Sequence, residues 1–401
     1  MPIVFRNCRM IDGVGDVARE HCDVIVEQEK VVAIEPTRAR NPSEHFIIES
    51  DGLTILPGLI DCHTHYLIYP WGLDPRKLEI GGPPERSVLR GARCARVALE
   101  SGVTTARDAG APEGLNIVLR DAIGEGLIPG PRILASGRGI TITGGHGTGF
   151  SREADGVLEM QKAVREEMRD GVDVIKIFAS EAAMLTGPEA GVEELTQAEI
   201  EVIVAEATRR GLRSFSHAQN STSVVRSARG GVHSVEHAFL ADEQAIRTLR
   251  ECGTVLVPTL AVTEVTLERA DLPNDYRLRM LDIQRMHWES CEEAIRQGVS
   301  VVAGTDCGVP GILPDMLWRE ICLLNARGMT PMGAIKAATM RAAELLGLED
   351  LIGSIEIGKQ ADLILVSGDP VKNLSCLSRV ALVMKAGQVQ KDDLGSRAMR
   401  N

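Results

Sequence analysis

Residues 57–65 read Pro-Gly-Leu-Ile-Asp-Cys-His-Thr-His, an apolar run that ends in two histidines separated by one residue. Side chains alternate between the two faces of a β-strand, so His63 and His65 project from the same face, about 7 Å apart along the backbone. Both imidazoles are then able to converge on one metal ion. Taken alone, a His-x-His pair is a weak signal.

Three more side chains of metal-binding type follow apolar runs elsewhere in the chain. His217 comes after Leu-Arg-Ser-Phe-Ser, His237 after Ser-Val-Glu, and Asp306 after Val-Ser-Val-Val-Ala-Gly-Thr. Each falls at the C-terminal end of a predicted strand, which is the end where α/β barrels place their active sites. Five such residues at matching positions favour one shared metal site over five unrelated capping residues.

Lys176 interrupts the run Asp-Val-Ile-Lys-Ile-Phe-Ala, which is otherwise apolar on both faces. Burial disfavours a charged ammonium and lowers its pKa toward the neutral amine. The side chain either reaches solvent at the strand end or is modified into an anionic metal ligand. The apolar surroundings favour the second interpretation.

Eight short apolar runs alternate with helical segments such as Leu158–Arg169 and Gln197–Arg210. Strands that are apolar on both faces and separated by helices indicate a parallel sheet covered by helices. Eight such units predict an α/β fold of the (β/α)8 TIM-barrel type. The predicted strands are Ile55–His63, Val103–Ala109, Arg132–Arg138, Asp173–Ala179, Leu212–Ala218, His233–Ala238, Thr254–Leu260 and Ser300–Thr305.

The two ends of the chain have a different pattern, with short strands separated by turn residues. We predict that residues 1–56 and 352–401 together form a small β-sandwich domain, and that residues 57–351 form the barrel. Between the barrel and the tail, Thr330–Leu346 is predicted to be one helix, with Thr330 as its N-cap and Pro331 in its first turn.

Charge and composition exclude several classes of function. The net charge is −12, and no run of Lys or Arg is present that would follow a phosphate backbone, so nucleic acid is not an expected partner. No segment approaches the ~20 apolar residues of a membrane span, and the N-terminus lacks the apolar region of a signal peptide. Nine scattered cysteines indicate reduced thiols. We therefore expect a cytoplasmic protein with a small-molecule substrate.

These motifs, with the tail Gly-Ser-Ile-Glu-Ile-Gly-Lys-Gln-Ala-Asp-Leu at residues 353–363, resemble the amidohydrolase superfamily. In detail the chain is similar to the branch of imidazolonepropionase-like enzymes and metal-dependent Xaa-Pro and Xaa-Arg/Lys dipeptidases. The resemblance implies two divalent ions, usually zinc, and a homo-oligomer by analogy. It implies the following ligands: His63, His65 and Asp306 on one ion, His217 and His237 on the other, and carboxylated Lys176 as a bridge between them.

The residues themselves also suggest a reaction. Imidazoles and carboxylates suit zinc or manganese, and iron and cobalt accept the same ligands. Two such ions lower the pKa of a shared water, and Asp306 is placed to accept its proton and pass it to a leaving amine. The predicted function is hydrolysis of a C–N bond in a dipeptide, N-acyl amino acid or xenobiotic amide. The alternatives are opening of a cyclic amide or imidazolone-type ring, deamination of a heterocycle, and a catalytically silent oligomeric scaffold.

Loops after the strands are expected to bind the substrate. His146 lies in the glycine-rich segment 143–149, and in related enzymes a histidine there contacts a substrate oxygen. A merely flexible loop is the alternative. Tyr66, Tyr69 and Trp71 follow the first strand, and their clustering suggests a wall for an apolar or aromatic group. Packing in the core explains the cluster equally well.

One position departs from the dipeptidases. They commonly have the sequence His-Ala-Tyr at the His217 strand, where the Tyr is associated with binding a substrate carboxylate, whereas this chain has His-Ala-Gln. The change puts a dipeptide substrate in doubt. Gln219, Arg138 or Arg107 are the candidates to take over that role.

Overall fold

The protein is described here from a computed structural model that covers residues 2–37, 46–71, 80, 82–186 and 192–394. The fold belongs to the α/β class, with parallel strands connected by helices and a mixed sheet. Within the described residues, no helix combines the length and apolarity required for a membrane span.

The strands are numbered in chain order. They are β1 Ile3–Met10, β2 Arg19–Glu27, β3 Lys30–Pro36, β4 Phe46–Glu49, β5 Leu53–Pro57, β6 Leu59–Thr64, β7 Val103–Asp108, β8 Arg132–Ala135, β9 Gly139–Thr141, β10 Ser151–Glu153, β11 Val174–Phe178, β12 Arg213–Asn220, β13 Ser234–Leu240, β14 Val255–Val257, β15 Leu363–Ser367, β16 Val380–Lys385 and β17 Gln388–Asp392.

The α-helices are numbered in the same way. They are α1 Pro84–Glu100, α2 Leu115–Gly124, α3 Gly156–Asp170, α4 Ala183–Thr186, α5 Gln197–Thr208, α6 Ser221–Arg229, α7 Glu243–Cys252, α8 Leu260–Glu268, α9 Asn274–Gln297, α10 Leu317–Ala326, α11 Pro331–Ala337 and α12 Met340–Leu346.

Parallel strands in the middle of the chain form two sheets. One has three strands in the order β6-β7-β8, and the other has six in the order β10-β9-β11-β12-β13-β14. Hydrogen bonds link the two sheets on both sides. The N–H of Val302 donates to Leu256 O in β14 (3.0 Å), that of Asp306 donates to His63 O in β6 (2.8 Å), and that of Asp173 donates to Ala135 O in β8 (2.9 Å). The three-stranded and six-stranded sheets are therefore connected through residue 173 and residues 302–306.

Strands from both termini form a single mixed sheet, in the order β17-β16-β15-β5-β1-β2-β3, with β4 paired to β1. β15 runs antiparallel to β5 over five residue pairs. Because side chains alternate along a strand, Leu363 and Leu365 face an apolar cluster inside this sheet, whereas Ile364 and Val366 pack with the α/β core. The mixed sheet is thus continuous with the core that supports the parallel strands.

The predicted strand Ile55–His63 is in fact two strands, β5 and β6, which belong to different sheets. The chain passes from one sheet to the other at Gly58, whose N–H donates to Asp362 O (2.8 Å). A Cβ atom at Gly58 would lie only 2.1 Å from Thr104 Oγ1. The turn therefore requires a glycine, and it lies beside the domain boundary predicted between residues 56 and 57.

The structure corrects three other predicted elements. Thr330–Leu346 is two helices, α11 and α12, because Thr339 leaves the helical region (φ −135°, ψ −103°), although Thr330 does cap α11 by accepting from Gly333 N–H (3.0 Å). The strand predicted over Thr254–Leu260 shortens to β14, because α8 starts at Leu260. Residues 300–305 contribute only an isolated parallel bridge, at Val301.

Candidate active site

A cavity of about 270 Å³ lies where the parallel strands end. Of the residues predicted to form the site, those that line it are His63, His65, His146, Lys176, His217, Gln219, His237 and Asp306. Ten apolar or aromatic residues complete the described lining: Ile68, Phe150, Phe178, Ala182, Met184, Phe239, Val262, Tyr276, Val309 and Pro310. A polar floor under apolar walls is typical of a small-molecule site.

Three of the predicted ligands form a compact group. One ligand atom each from His63, His237 and Asp306 lies within 4.8 Å of the other two. Nε2 of His63 is 3.4 Å from Asp306 Oδ1, and Nε2 of His65 is 3.5 Å from the same oxygen. Burial lowers the pKa of His63 and His237 well below the usual range, and that of His65 to about 3. These imidazoles therefore carry a free lone pair at neutral pH.

Each of these imidazoles is held by the nitrogen that faces away from the cavity. A histidine that binds a metal normally makes such a contact, because it selects the tautomer and fixes the ring. The contacts are His63 Nδ1 to Glu236 Oε2 (2.7 Å), His65 Nδ1 to Gly110 O (2.9 Å) and His237 Nδ1 to Thr259 Oγ1 (2.8 Å).

Two buried polar atoms of the cavity have no hydrogen-bond partner among the described residues, namely Nζ of Lys176 and Nε2 of His217. Lys176 is only 1% exposed, and its Nζ lies 5.0 Å from the ring centroids of both Phe178 and Phe215. Burial lowers the pKa of Lys176 to about 8. Because buried polar groups almost always have partners, both atoms point to a ligand that completes the site.

The backbone around the site is strained. Asp306, His237 and Thr259 have φ values of 60°, 72° and 55°, in the left-handed region that non-glycine residues rarely adopt. Asp61 stabilises the Asp306 turn by accepting hydrogen bonds from Thr305 N–H (3.0 Å) and Thr305 Oγ1 (2.6 Å). Such strain concentrates at functional sites, where surrounding contacts over-determine the conformation.

The comparison with known proteins agrees with this geometry. Residues 54–390 match the amidohydrolase family. The chain belongs to that family. Ochratoxinase from Aspergillus niger is 29% identical over 425 residues, which cover 95% of this chain and 85% of ochratoxinase. Imidazolonepropionase from Geobacillus kaustophilus is 24% identical over 422 residues, which cover 93% and 91% of the two chains.

The fold comparison points in the same direction. The crystal structure of a Xaa-Pro dipeptidase with methionine bound in its active site superposes on this amidohydrolase with a TM-score of 0.88. The two chains are 30% identical, and 97% of this chain and 99% of the dipeptidase are covered. Family membership confirms the prediction of a hydrolase that acts on C–N bonds of small molecules.

The sequence prediction of the site missed Glu236 and its buried pairing with Arg107. Glu236 is fully buried, and its Oε1 accepts from Arg107 Nη2 (2.9 Å). Arg107 lies in the strand Val-Thr-Thr-Ala-Arg-Asp and Glu236 in Ser-Val-Glu-His-Ala-Phe-Leu, so a charged residue within a predicted strand is the signal that could have found this pair. Arg107 is thereby engaged below the cavity, so it does not take over carboxylate binding from the missing Tyr.

The structure places two of the predicted substrate-binding residues, Arg138 and Tyr66, away from the cavity. Arg138 Nε donates to Glu167 Oε1 (2.8 Å), and neither residue lines the cavity. Tyr66 is 1% exposed and packs in the hydrophobic core. Gln219 does line the cavity, and its Oε1 accepts from Ala183 N–H (2.7 Å), which leaves the amide NH2 of the side chain as a donor.

An aromatic wall lines the cavity, but the residues predicted to form one are not part of it. Tyr69 and Trp71 pack against each other with ring centroids 5.3 Å apart, and neither lines the cavity. The aromatic lining residues are Phe150, Phe178, Phe239 and Tyr276. His146 stands beside this wall, with its ring centroid 5.3 Å from that of Phe178 and 4.4 Å from that of His217.

Proposed function

We propose that the protein is a metal-dependent amidohydrolase that cleaves the C–N bond of a small amide carrying a bulky apolar or aromatic group. One observation carries the proposal: the ligand atoms of His63, His237 and Asp306 converge at the floor of a cavity whose walls are largely apolar. The floor supplies polar chemistry, and the walls supply apolar contact area for the substrate.

The donor set fits a divalent metal ion. The histidines are neutral and oriented, and Asp306 adds an oxygen donor. Lys176 Nζ and His217 Nε2 are two further atoms of the cavity that have no hydrogen-bond partner among the residues that the structure describes. We propose two ions, most readily zinc, held by His63, His65, His217, His237, Asp306 and a carboxylated Lys176. When bound, such ions polarise a carbonyl and activate a water molecule for attack.

Carboxylation of Lys176 is supported by its surroundings. Burial without a hydrogen-bond partner among the described residues lowers the pKa of Lys176 to about 8, so a larger fraction of this side chain is neutral amine than in an exposed lysine. The nitrogen of a neutral amine bonds to the carbon of carbon dioxide and releases one N–H proton to water. The carbamate that results turns the lysine into an anionic ligand that cations stabilise.

The side chains of the cavity divide the remaining tasks. Asp306 Oδ1 lies at the centre of the imidazole cluster, where the carboxylate can take a proton from the attacking water and deliver it to the leaving nitrogen. His146 and the amide NH2 of Gln219 stand at the wall as donors to substrate oxygens. Phe150, Phe178 and Phe239 bind the apolar part of the substrate and exclude water from it.

A panel of matched substrates tests the proposal. Metal-free protein is reconstituted with zinc or manganese and assayed on N-acyl amino acids with aromatic or small side chains, dipeptides, cyclic amides and aryl amides. We expect metal-dependent turnover, with kcat/KM at least about tenfold higher for an aromatic than for a small group, since burial of that apolar area contributes about 1.4 kcal/mol or more. Equal activity with and without metal, or a preference for small polar amides, contradicts the proposal.

We also propose a closed (β/α)8 barrel for the parallel strands and a sandwich for the mixed sheet. The hydrogen bonds from Val302 to Leu256, from Asp306 to His63 and from Asp173 to Ala135 support closure, because they join the three-stranded and six-stranded sheets on both sides. Closure would bring the ligands from separate strands to one end of the barrel, where such enzymes place their active sites.

A further inference from the structure

We propose that Glu236 is a positioning residue of this centre: held by Arg107 and Ser234, its carboxylate sets the orientation and basicity of His63. The inference deepens the proposed metal-dependent function, on which it rests. Glu236 itself does not line the cavity, so it acts through the imidazole and not on the substrate.

Both carboxylate oxygens of Glu236 are occupied. Oε2 accepts from His63 Nδ1 (2.7 Å), while Oε1 accepts from Arg107 Nη2 (2.9 Å) and from Ser234 Oγ (2.6 Å). The Arg107 guanidinium is fixed in turn, because its Nε donates to Cys62 O (2.7 Å). Since the carboxylate can only accept, Nδ1 of His63 carries the proton, and its Nε2 keeps the lone pair that faces Asp306.

The backbone explains how two consecutive residues of β13 reach the same histidine. Side chains of neighbouring residues in a regular strand point to opposite faces. His237 instead has a φ of 72°, and its ring lies 5.0 Å from that of His63, while Glu236 bonds the far side of the same ring. The left-handed turn at His237 therefore places a candidate ligand and a positioning residue on the same imidazole.

The charge of Glu236 distinguishes His63 from its neighbours. Through Nδ1, His65 donates to a backbone carbonyl and His237 contacts a hydroxyl, whereas His63 alone of the three contacts a carboxylate with this nitrogen. A carboxylate partner makes an imidazole a stronger metal ligand. A buried ion pair is not needed for stability, because an apolar pair of similar volume is often as stable. A role in holding a metal ligand therefore explains the Glu236–Arg107 ion pair better than a contribution to folding stability does.

The test measures the affinity of the full-length protein for Zn²⁺ and Co²⁺ by competition with a chelator, together with the visible spectrum of the Co²⁺ form. We expect Glu236→Gln to weaken binding by about 10- to 100-fold and to shift the Co²⁺ bands, because the amide lacks the charge that strengthens His63. Glu167→Gln is the matched control, since it also removes a buried carboxylate paired with an arginine, outside the cavity. It should leave metal affinity unchanged.

A double variant separates positioning from folding. Arg107→Met combined with Glu236→Gln leaves no unpaired charge, so it should regain thermal stability relative to Glu236→Gln alone while metal binding stays weak. Wild-type affinity in Glu236→Gln, or recovery of that affinity in the double variant, overturns the proposal. Failure of the wild-type protein itself to bind Zn²⁺ and Co²⁺ overturns instead the metal-dependent function on which it rests.

Discussion

Asp306 combines a left-handed backbone with a largely buried carboxylate, and burial raises the pKa of that carboxyl group to about 7. We expect Asp306→Asn to fold and to keep part of its metal, but to lose turnover by about 10²-fold or more, because an amide cannot shuttle a proton. Steady-state kinetics with metal analysis checks this. Asp362→Asn, a buried aspartate outside the cavity, is the control that should keep turnover. A near-normal rate in Asp306→Asn would identify another group as the base.

Lys176 is the residue whose surroundings demand a partner most clearly. Lys176→Ala should lose most of its bound metal and be nearly inactive, and a short carboxylic acid in the buffer should restore part of the activity by occupying the space. Lys176→Arg should fail too, because a guanidinium stays charged and forms no carbamate. Elemental analysis and rate measurements test both variants, with His146→Ala as the control that retains metal. Full activity in Lys176→Arg would rule out the carbamate.

At the scale of elements, Glu320 of α10 joins two helices. Its Oε1 and Oε2 accept from the N–H groups of Leu260 (3.0 Å) and Ala261 (2.8 Å) at the start of α8, next to the Thr259 that holds His237. Burial raises the pKa of Glu320 to about 8. The folded state therefore binds this proton more tightly than the unfolded chain, whose glutamates titrate near about pH 4.3.

The consequence is a pH-dependent contribution to stability. The contribution of Glu320 to the free energy of unfolding falls as pH rises from about 4.3 to the pKa of the folded state. Above that pKa the contribution no longer changes with pH. Glu320→Gln does not titrate, so the Tm of the variant minus that of wild type should increase between pH 5 and 8, as measured by thermal unfolding. Glu206→Gln is the control. Arginine contacts lower the pKa of Glu206 to about 2, so the contribution of this residue to stability changes only at pH values below the range of the measurement. A Tm difference for Glu320→Gln that is constant with pH contradicts the prediction.

At the scale of the whole molecule, one apolar cluster connects the mixed sheet to the α/β core. Ile364 and Val383 of the sheet share it with Leu99 and Val103. We expect a single cooperative unfolding transition in denaturant, and we expect Ile364→Ala and Leu365→Ala each to lower the stability of the whole transition by about 2–5 kcal/mol. Calorimetry resolving two transitions, only one of which responds to these substitutions, would contradict this coupling.

Several features of the fold and site were predictable from the sequence. The apolar strands, the cap at Thr330, the position of His63 and Lys176 within strands and that of His65 directly after one follow from rules that act over a few residues. These rules are alternation along a strand, helix capping and the cost of a polar group inside an apolar run. The order of the motifs along the chain also indicated the family that the sequence resembles. These signals are local, so they are readable before any tertiary contact is known.

Tertiary structure alone decided which side chains meet. Glu236 and His63 are 173 positions apart, and the aromatic wall draws on Phe150, Phe178 and Phe239 from separate elements, while Tyr69, close to the histidines in sequence, faces elsewhere. The splitting of β5 from β6 at Gly58 likewise depends on Thr104 of a neighbouring strand. The physical reason is that cavity walls and buried ion pairs form where distant elements pack, and local propensity carries no information about those contacts.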